Sequence, residues 1–328
     1  MLIVGDVHWS QYSSILRTRA DRYSTRLNNL IQSVNWAERT AESNECEAII
    51  YLGDFFDKSE LNAEEITALS EVNWSALPHW IICGNHEMGD KYHYSSSAKL
   101  FRMLNNFVVV ETPDILTDAE NTTYIFLPYV LEDERKPLAE YIGDDIGEEV
   151  YVFSHNDIQM QYGQYKSVNG FTTDEIEKNC DKFFNGHLHN RQIDGKIENV
   201  GNLTGQNFSE DAEKYAHGVV IFDTETSMEW FVENPYALNF YKIDKKIPLK
   251  NNAIVSATVY ENEYEDMKKY LDDNAMLYRI QVARNVSDMV ETTSEEIINV
   301  DHISKFRDYV LGNIGNDELI KSELETIL

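Results

Sequence analysis

Five short polar clusters of this sequence contain aspartate, asparagine and histidine, whose side chains bind metal ions. In chain order the clusters are residues 5–8, 53–57, 84–87, 154–157 and 185–189. Asp6 and His8 are two positions apart, and so are His187 and His189. At the end of an extended strand, such a pair points to the same side, so each pair could bind one ion.

Two ions fit these clusters better than one ion. A single tetrahedral ion takes four ligands, whereas two ions that share a carboxylate can use more. Mixed imidazole and carboxylate donors favour Mn²⁺, Fe²⁺ or Zn²⁺ over Ca²⁺ or Mg²⁺, and we expect two divalent ions, Mn²⁺ first among them. The candidate ligands are Asp6, His8, Asp54, Asn85, His155, His187 and His189.

The local charge of such a site would differ from that of the whole chain. With 57 acidic and 28 basic residues, the net charge is −29, which disfavours nonspecific contact with nucleic acid or anionic lipid. Two divalent ions, the Asp6 and Asp54 carboxylates and a bridging hydroxide would sum to about +1, which attracts a phosphodiester. Two-metal hydrolysis of a phosphodiester is the reaction that fits, with His86 protonating the leaving oxygen or hydrogen-bonding the phosphoryl group.

Buried strands must position these clusters, because each cluster follows a short apolar run. Apolar residues spaced three and four apart predict a helix over residues 27–37, with Ser24 or Thr25 as its N-cap, and a second helix is predicted over residues 97–104. Strands that alternate with helices predict an α/β layered domain. Ligands of such sheets collect at the carboxyl ends of the strands, so the five clusters should converge. The apolar runs are residues 2–4, 48–52, 80–83, 150–153 and 183–184.

The pattern changes after a strand predicted over residues 218–222. We predict a catalytic nuclease domain over residues 1–235, a small β-α-β cap domain over 236–284, a polar linker over 285–295 and C-terminal helices over 296–328. In the cap, strands are predicted over 253–260 and 277–282, with a helix over 265–272.

Cysteine usage and hydropathy bear on the compartment. Three cysteines, with no CxxC spacing, favour a reducing compartment over a disulfide framework. No apolar run is long enough to predict a membrane span, and polar chemistry by Asp6 leaves no room for a signal peptide. We therefore expect the cytoplasm, or the host cytoplasm if the protein is phage-encoded.

The five clusters resemble the five motifs of calcineurin-like metallophosphoesterases in order and spacing, over roughly residues 1–225. The matching segments are Gly-Asp-Val-His, Gly-Asp-Phe-Phe-Asp, Gly-Asn-His-Glu, a lone histidine and Gly-His-Leu-His. The resemblance implies a layered sandwich of mixed sheets flanked by helices. It also implies that one ion is held by Asp6, His8, Asp54 and His189, and the other by Asp54, Asn85, His155 and His187.

Within that family, the chain is similar to the SbcD nucleases of double-strand-break repair, particularly the short phage-encoded versions. The similarity lies in Gly-His-x-His, in residues 200–209 and in a small β-α-β region followed by terminal helices. It implies a DNA exonuclease or endonuclease that acts as a homodimer with an SbcC-like ATPase. The terminal helices would hold the base of that ATPase's coiled coil, although they could instead dock on the chain's own core.

Other side chains could contact DNA or support the ligands. An arginine cluster could grip DNA phosphates or form ion pairs with nearby carboxylates, and two tyrosines could stack on an unpaired base or pack on the protein. Asp57 and Glu87 could orient ligand imidazoles, and Glu87 could equally cap a turn. The candidate DNA contacts are Arg17, Arg19, Arg22, Arg26, Tyr92 and Tyr94.

Two alternatives to a DNA nuclease remain. Protein Ser/Thr phosphatases share Gly-Asp-x-His and Gly-Asn-His-Glu, but they place arginines beside the second and third motifs to bind a phosphomonoester. Here those positions are Lys58-Ser59 and Ile82-Cys83, which favours a diester. A phosphatase or small-molecule phosphodiesterase acting alone is one alternative, and a noncatalytic scaffold of a repair complex is the other.

Overall fold

A six-stranded mixed sheet is built around the N-terminal strand. Leu2–Val4 pairs parallel with Ile49–Tyr51 on one side and antiparallel with Gly218–Asp223 on the other. In spatial order the sheet consists of Met228–Glu233, Gly218–Asp223, Leu2–Val4, Ile49–Tyr51, His79–Ile82 and Phe107–Val110. Its parallel strands end on the same edge, which brings the first three polar clusters together.

A second six-stranded sheet carries the last two clusters. Its central strands are parallel, whereas Asp114–Thr117 and Gln192–Asp194 are antiparallel to their neighbours at the two edges. In spatial order it consists of Gln192–Asp194, Ile197–Asn199, Lys182–Asn185, Glu149–Ser154, Thr122–Leu127 and Asp114–Thr117.

The apolar residues explain why the two sheets stack. Successive side chains of a strand point to opposite faces. Leu2 and Val4 therefore pack with Leu30 of a flanking helix, while Ile3 lies in a cluster with Phe153 of the second sheet. The result is the predicted α/β layered sandwich, in which mixed sheets are flanked by helices.

Five α-helices accompany these strands in the described part of the chain. Helix α1 begins after Ser24, whose side chain accepts a hydrogen bond from the Leu27 amide, as predicted for this N-cap. The segment Ser97–Met103, predicted as a helix, is a 3-10 helix. The α-helices are α1 Thr25–Ser43, α2 Ala63–Leu69, α3 Leu138–Ile142, α4 Thr173–Asn179 and α5 Tyr264–Asn274.

A third sheet follows the sandwich. Its strands Asn239–Ile243, Ala253–Val259 and Leu277–Val282 are all parallel, and α5 packs on them through Met267 and Leu271. The predicted β-α-β unit is present, with one further strand at its start that the sequence pattern had not indicated. Short two-stranded ladders join Arg19–Ala20 to Tyr23–Ser24, Ile158–Gln159 to Phe171–Thr172, and Gln161–Tyr162 to Tyr165–Lys166.

The computed structural model describes residues 1–283 except residues 17, 21, 144, 145, 163 and 164. Met1–Val282 forms one compact unit. The predicted linker over 285–295 and the helices over 296–328 lie outside the described residues, and the domain boundaries stay predictions. Cys46, Cys83 and Cys180 are all buried, free cysteines. No helix among the described residues has the length and apolarity needed to cross a membrane.

Candidate metal centre

Three ligands predicted from the sequence lie at the ends of first-sheet strands. Asp6 follows Leu2–Val4, Asp54 follows Ile49–Tyr51 and Asn85 follows His79–Ile82. Asp6 and Asp54 are both buried. Each carboxylate fixes a motif loop through one oxygen only. Asp6 Oδ1 accepts the His187 amide at 2.9 Å, and Asp54 Oδ1 accepts the His86 amide at 2.9 Å. One oxygen of each side chain is therefore left for another role.

His155 and His187 come from the second sheet and face the same point. The Nδ1 atom of His155 lies 2.7 Å from the Leu52 carbonyl oxygen, which only an N–H at that atom can satisfy. Its Nε2 atom lies 3.1 Å from Asp54 Oδ2 and 3.2 Å from Asn85 Oδ1. His187 Nδ1 lies 3.0 Å from Asn85 Oδ1. Four predicted ligands from two sheets thus converge.

The predicted ligands fall into two groups that could each hold an ion. In each group, one ligand atom from every residue lies within 4.8 Å of the others. One group is Asp6, His8 and His189, and the other is Asp54, His155 and His187. Each group is part of a ligand set implied by the motif resemblance: Asp54 is absent from the first group, and Asn85 Oδ1 lies 3.2 Å from His155 Nε2 beside the second.

Two buried polar atoms support the fit of metal ions to these residues. Asp6 Oδ2 and His8 Nε2 have no hydrogen-bond partner within the described structure. An unsatisfied polar atom in the protein interior costs about 1–3 kcal/mol, so both atoms call for a ligand. His8 and Asp54 also adopt φ of 51° and 46°, a strained conformation for residues other than glycine that recurs at functional sites. The donor set suits Mn²⁺, Fe²⁺ or Zn²⁺.

Carboxylates hold three of the histidine rings from behind. Asp57 Oδ1 lies 3.1 Å from His8 Nδ1, in agreement with the predicted orienting role of Asp57. Asp157 Oδ1 lies 3.2 Å from His187 Nε2, and Glu210 Oε1 lies 2.9 Å from His189 Nδ1. Such partners fix the tautomer of each ring and its orientation toward an ion.

Sequence analysis missed Asp157 and Glu210. Asp157 stands two positions after His155, in the same cluster, so its position was a usable signal. Glu210 is one of 57 acidic residues and lies 21 positions from His189, and nothing in the local pattern singles it out.

Glu87 supports the loops rather than a ring. Its carboxylate accepts the backbone amides of Gly84 at 2.6 Å, Asp54 at 3.1 Å and Phe56 at 3.0 Å. This corrects the expectation that Glu87 orients an imidazole, and it is closer to the turn-capping alternative. Glu87 therefore joins the second and third motifs behind Asp54.

The predicted catalytic residue His86 lies at the open side of the centre. Its side chain is 40% exposed, and its Nδ1 atom lies 3.0 Å from the Asp57 carbonyl oxygen. The interaction with Asp57, opposed by burial and helped by Asp54, raises the pKa of His86 to about 9. A ligand atom of His86 also lies within 4.8 Å of those of His8 and Asp54, so the geometry allows a proton donor or a further ligand.

Glycine is required where the motif loops approach the ligands. A Cβ atom at Gly84 would lie 2.2 Å from Asp54 Oδ1. At Gly53, with φ of +97°, a Cβ atom would lie 2.4 Å from His155 Nδ1. Any larger residue at either position would displace a ligand.

The arginines of the predicted cluster differ in their exposure and their contacts. Arg19 and Arg22 are exposed and pair with Glu64 at 3.1 Å and Glu71 at 2.7 Å, so the ion-pair alternative describes both. Arg17 lies outside the described residues. A DNA contact by these three residues stays a prediction.

The expectation that Arg26 grips DNA at the surface is corrected. Arg26 is only 4% exposed, and its guanidinium donates to the carbonyl oxygens of Gly205 at 2.9 Å and Val7 at 3.4 Å. Burial lowers the pKa of Arg26 to about 10, so it keeps its charge at neutral pH. Arg26 joins the loop after the first motif to the loop that contains Gly205.

Tyr92 and Tyr94 are exposed, at 45% and 77%, with ring centroids 5.6 Å apart. The intervening His93 is buried and lies 3.0 Å from the Tyr129 carbonyl oxygen. Lys91 Nζ lies 4.4 Å from the centroid of the Tyr92 ring, so Tyr92 has packing contacts on the protein, and stacking of either tyrosine on a base stays a prediction.

The positions where phosphatases carry arginines offer no free cation here. Lys58 Nζ lies 3.0 Å from Glu65 Oε2, and Ile82 and Cys83 are buried. Beside the second and third motifs, the described side chains thus provide no unpaired positive charge for a dianionic phosphomonoester.

The solved structures that are similar to this chain include a phosphodiesterase and a phosphatase. An archaeal phosphodiesterase is 12% identical, with a TM-score of 0.37, over 71% of this chain and 98% of that one. A dimetal phosphatase from Danio rerio is 12% identical, with a TM-score of 0.41, over the same shares of the two chains. No curated protein matches the sequence.

The family comparison covers the motifs themselves. The calcineurin-like phosphoesterase family matches residues 1–191, which span the first motif to the Gly-His-Leu-His motif and make up more than half of the chain. All seven candidate ligands lie within that match, at the edge where the two sheets meet. By its matched sequence and its layered fold, this chain belongs to the calcineurin-like phosphoesterase family.

Proposed function

We propose that this protein is a dinuclear-metal phosphodiesterase that cleaves DNA, and that it is the nuclease subunit of an SbcC/SbcD-like repair or recombination complex. The observation that supports a diester substrate is the charge beside the second and third motifs. Lys58 is neutralised by Glu65, and Cys83 takes the place of a cation. A diester carries one negative charge and needs less compensation than a monoester dianion.

The chain's own residues have distinct roles in this proposal. Asp6, His8 and His189 would hold one ion, and His155, His187 and Asn85 the other, with Asp54 between them. When bound, the ions would polarise the phosphoryl group and activate a water molecule. Asp57, Asp157 and Glu210 keep the rings oriented, which removes the cost of reorganising them during the reaction.

His86 would supply the proton to the leaving oxygen. Because its Nδ1 atom faces the Asp57 carbonyl oxygen, Nε2 is the atom that can donate. For Nε2 to donate, the ring must be doubly protonated, and the contacts of Nδ1 with the Asp57 carbonyl and carboxylate oxygens favour that cationic form. Its exposure places the donor where a substrate can reach it.

A substrate comparison tests the reaction class. Purified protein loaded with Mn²⁺ is assayed on p-nitrophenyl phosphate, bis-p-nitrophenyl phosphate, single-stranded DNA and duplex ends. We expect hydrolysis of the diesters and of DNA, with little turnover of the monoester. Preference for the monoester would identify a phosphatase instead, and hydrolysis of bis-p-nitrophenyl phosphate without DNA cleavage would identify a small-molecule phosphodiesterase. A protein that binds both ions and cleaves no substrate would be the noncatalytic scaffold.

The proposed ATPase partner is supported by the resemblance of the C-terminal region and by the acidity of the chain. A protein with net charge −29 should bind DNA weakly alone, so processive cleavage would need help. Removing residues 296–328 should leave hydrolysis of a small diester intact while abolishing co-purification with an SbcC-like ATPase and ATP-stimulated DNA cleavage. A truncated chain that still binds the ATPase would place the interface elsewhere. A truncated chain that loses its metals would assign these residues to the core.

Gel filtration of the full chain tests the proposed homodimer.

A further inference from the structure

A cavity of about 200 Å³ opens beside His8, next to the metal centre. Two loops form most of its walls, namely residues 12–14 after the first motif and residues 206–207 after the matched family region. Arg26 and Asp57 complete the lining. Because His8 is both a ligand and a wall residue, a group in this cavity would directly adjoin the reacting phosphate.

Hydrogen-bond donors dominate the cavity walls. The Nε2 amide of Gln206 is buried and has no hydrogen-bond partner in the described structure. Ser13 Oγ accepts the amides of Ile15 at 3.2 Å and Leu16 at 2.9 Å, which leaves its hydroxyl hydrogen available to donate. The Tyr12 side chain is 71% exposed at the mouth. Such a set of donors calls for a ligand with several acceptor oxygens.

Arg26 is the cationic residue of the lining, and its guanidinium donates to two backbone carbonyl oxygens. The carboxylates of Glu210, buried behind the wall, and of Asp57, in the lining, both act on this charge. Each carboxylate is itself engaged: Asp57 lies 3.1 Å from His8 Nδ1 and 3.5 Å from His86 Nδ1, and Glu210 bonds His189 and the Gln206 amide. An anion in this cavity would therefore meet Arg26 together with the neutral donors.

Glu210 links the cavity wall at residues 206–207 to the metal centre. Glu210 accepts the Gln206 amide at 2.6 Å through one oxygen, and it accepts Asn207 Nδ2 at 3.4 Å and His189 Nδ1 at 2.9 Å through the other. One buried carboxylate therefore sets both a candidate ligand and the cavity wall. The distance between the two sites is fixed by this contact, as a subsite of the same substrate requires.

We propose that this cavity binds the phosphate group that adjoins the scissile diester in a nucleic acid strand, with Gln206 as a specificity-determining residue. The inference rests on the proposed function, because a single small diester has no second phosphate to place there. It adds a reason why the enzyme would prefer a polynucleotide over a small diester, although the chain as a whole is acidic.

Three dinucleotides provide the test. Thymidylyl-thymidine has only the scissile phosphate, whereas its 5′-phosphorylated and 3′-phosphorylated forms each add one flanking phosphate on a different side. With Mn²⁺, we expect one of the two phosphorylated forms to have a kcat/KM about tenfold above that of the unphosphorylated form, chiefly through KM, as for a charge-assisted hydrogen bond of about 1.4 kcal/mol. Gln206→Ala should reduce that ratio several-fold toward one.

Controls separate a subsite from a general defect. Gln281→Ala, at an exposed position of the third sheet, should keep the wild-type ratio. Metal content and the thermal unfolding midpoint of Gln206→Ala should match wild type, because the backbone amide that bonds Glu210 is retained.

Each outcome decides between the proposals. The subsite would be overturned if the wild-type kcat/KM of both phosphorylated forms were close to that of the unphosphorylated form. It would also be overturned if Gln206→Ala kept the wild-type ratio of these kcat/KM values. In either case, DNA cleavage would still uphold the proposed function. If bis-p-nitrophenyl phosphate were hydrolysed but neither DNA nor any dinucleotide, the proposed function would fail and the subsite with it.

Discussion

Replacing Glu210 by glutamine should weaken one metal site and leave the other nearly unchanged. Glu210 is fully buried, and its Oε1 atom lies 2.9 Å from His189 Nδ1. Its Oε2 atom accepts the Gln206 amide at 2.6 Å. A glutamine has one oxygen and one NH₂ group, so whichever way it turns, the NH₂ group must face a donor.

The expected magnitude follows from these contacts. If the amide oxygen faces His189, the NH₂ group opposes the Gln206 amide and leaves buried donors unsatisfied, at a cost of about 1–3 kcal/mol in stability. If it turns over, His189 loses its acceptor. Loss of a carboxylate behind a ligating histidine lowers metal affinity by about 10- to 100-fold, which corresponds to about 1.4–2.7 kcal/mol. In either orientation a neutral amide replaces the carboxylate behind His189 and a buried donor loses its acceptor, so Glu210→Gln should show both a weaker site and a lower unfolding free energy.

Titration of metal-free protein with Mn²⁺, followed by calorimetry, measures the two sites separately. The matched control is Asp157→Asn, because Asp157 holds His187 at 3.2 Å in the other ligand group. We expect Glu210→Gln to weaken one of two binding steps and Asp157→Asn to weaken the other. Equal loss at both steps in each variant, or no loss in either, would refute the assignment of these carboxylates to separate ions.

Three further predictions concern the centre and the core. Asp54→Asn should lose more bound metal than Asn85→Ala, because Asp54 lies between both ligand groups. Metal analysis that finds two ions in the Asp54 variant would contradict its bridging role. His86→Gln should keep both ions yet lose hydrolysis by about 10²-fold or more, and loss of metal as well would make His86 a ligand. In the core, burial acts to raise the pKa of Glu38, but hydrogen bonds, above all from His79, outweigh it and lower the pKa below its usual 4.5. The Glu38 carboxylate therefore adds stability above about pH 4.5, and this stability is lost as the pH falls through the folded-state pKa. In urea unfolding, Glu38→Gln should lower the free energy of unfolding by about 1–3 kcal/mol at pH 7 and by less in acid. A loss of stability that does not depend on pH would contradict this explanation.

Local pattern was sufficient for the strands and for the ligand clusters. Short apolar runs such as residues 2–4, followed at once by polar residues, favour a strand covered on both faces, and the polar residues then lie at the sheet edge. The helix over Thr25–Ser43 was equally predictable from its apolar spacing and its serine cap. These features depend on neighbours in sequence, which a single chain reveals.

Contacts between distant residues were not predictable in the same way. Arg26 belongs to a cluster of basic residues that reads as a surface patch, but the first turn of α1 faces inward and buries it against Gly205. Glu210 likewise acquires its role only when the fold brings residues 189 and 210 together. Glu87 bonds backbone amides, and backbone amides carry no sequence signature.

At one edge of the sandwich the candidate ligands come from both sheets, with Asp6 and Asp54 on one side and His155 and His187 on the other. An ion bound between them would act as a cross-link that exists only in the folded chain, so it would add to the stability that the apolar contacts between the sheets already supply. A bound ligand at 100 times its Kd adds about 2.7 kcal/mol to the free energy of unfolding. A cell short of that metal would therefore hold a less stable protein, in addition to losing its turnover.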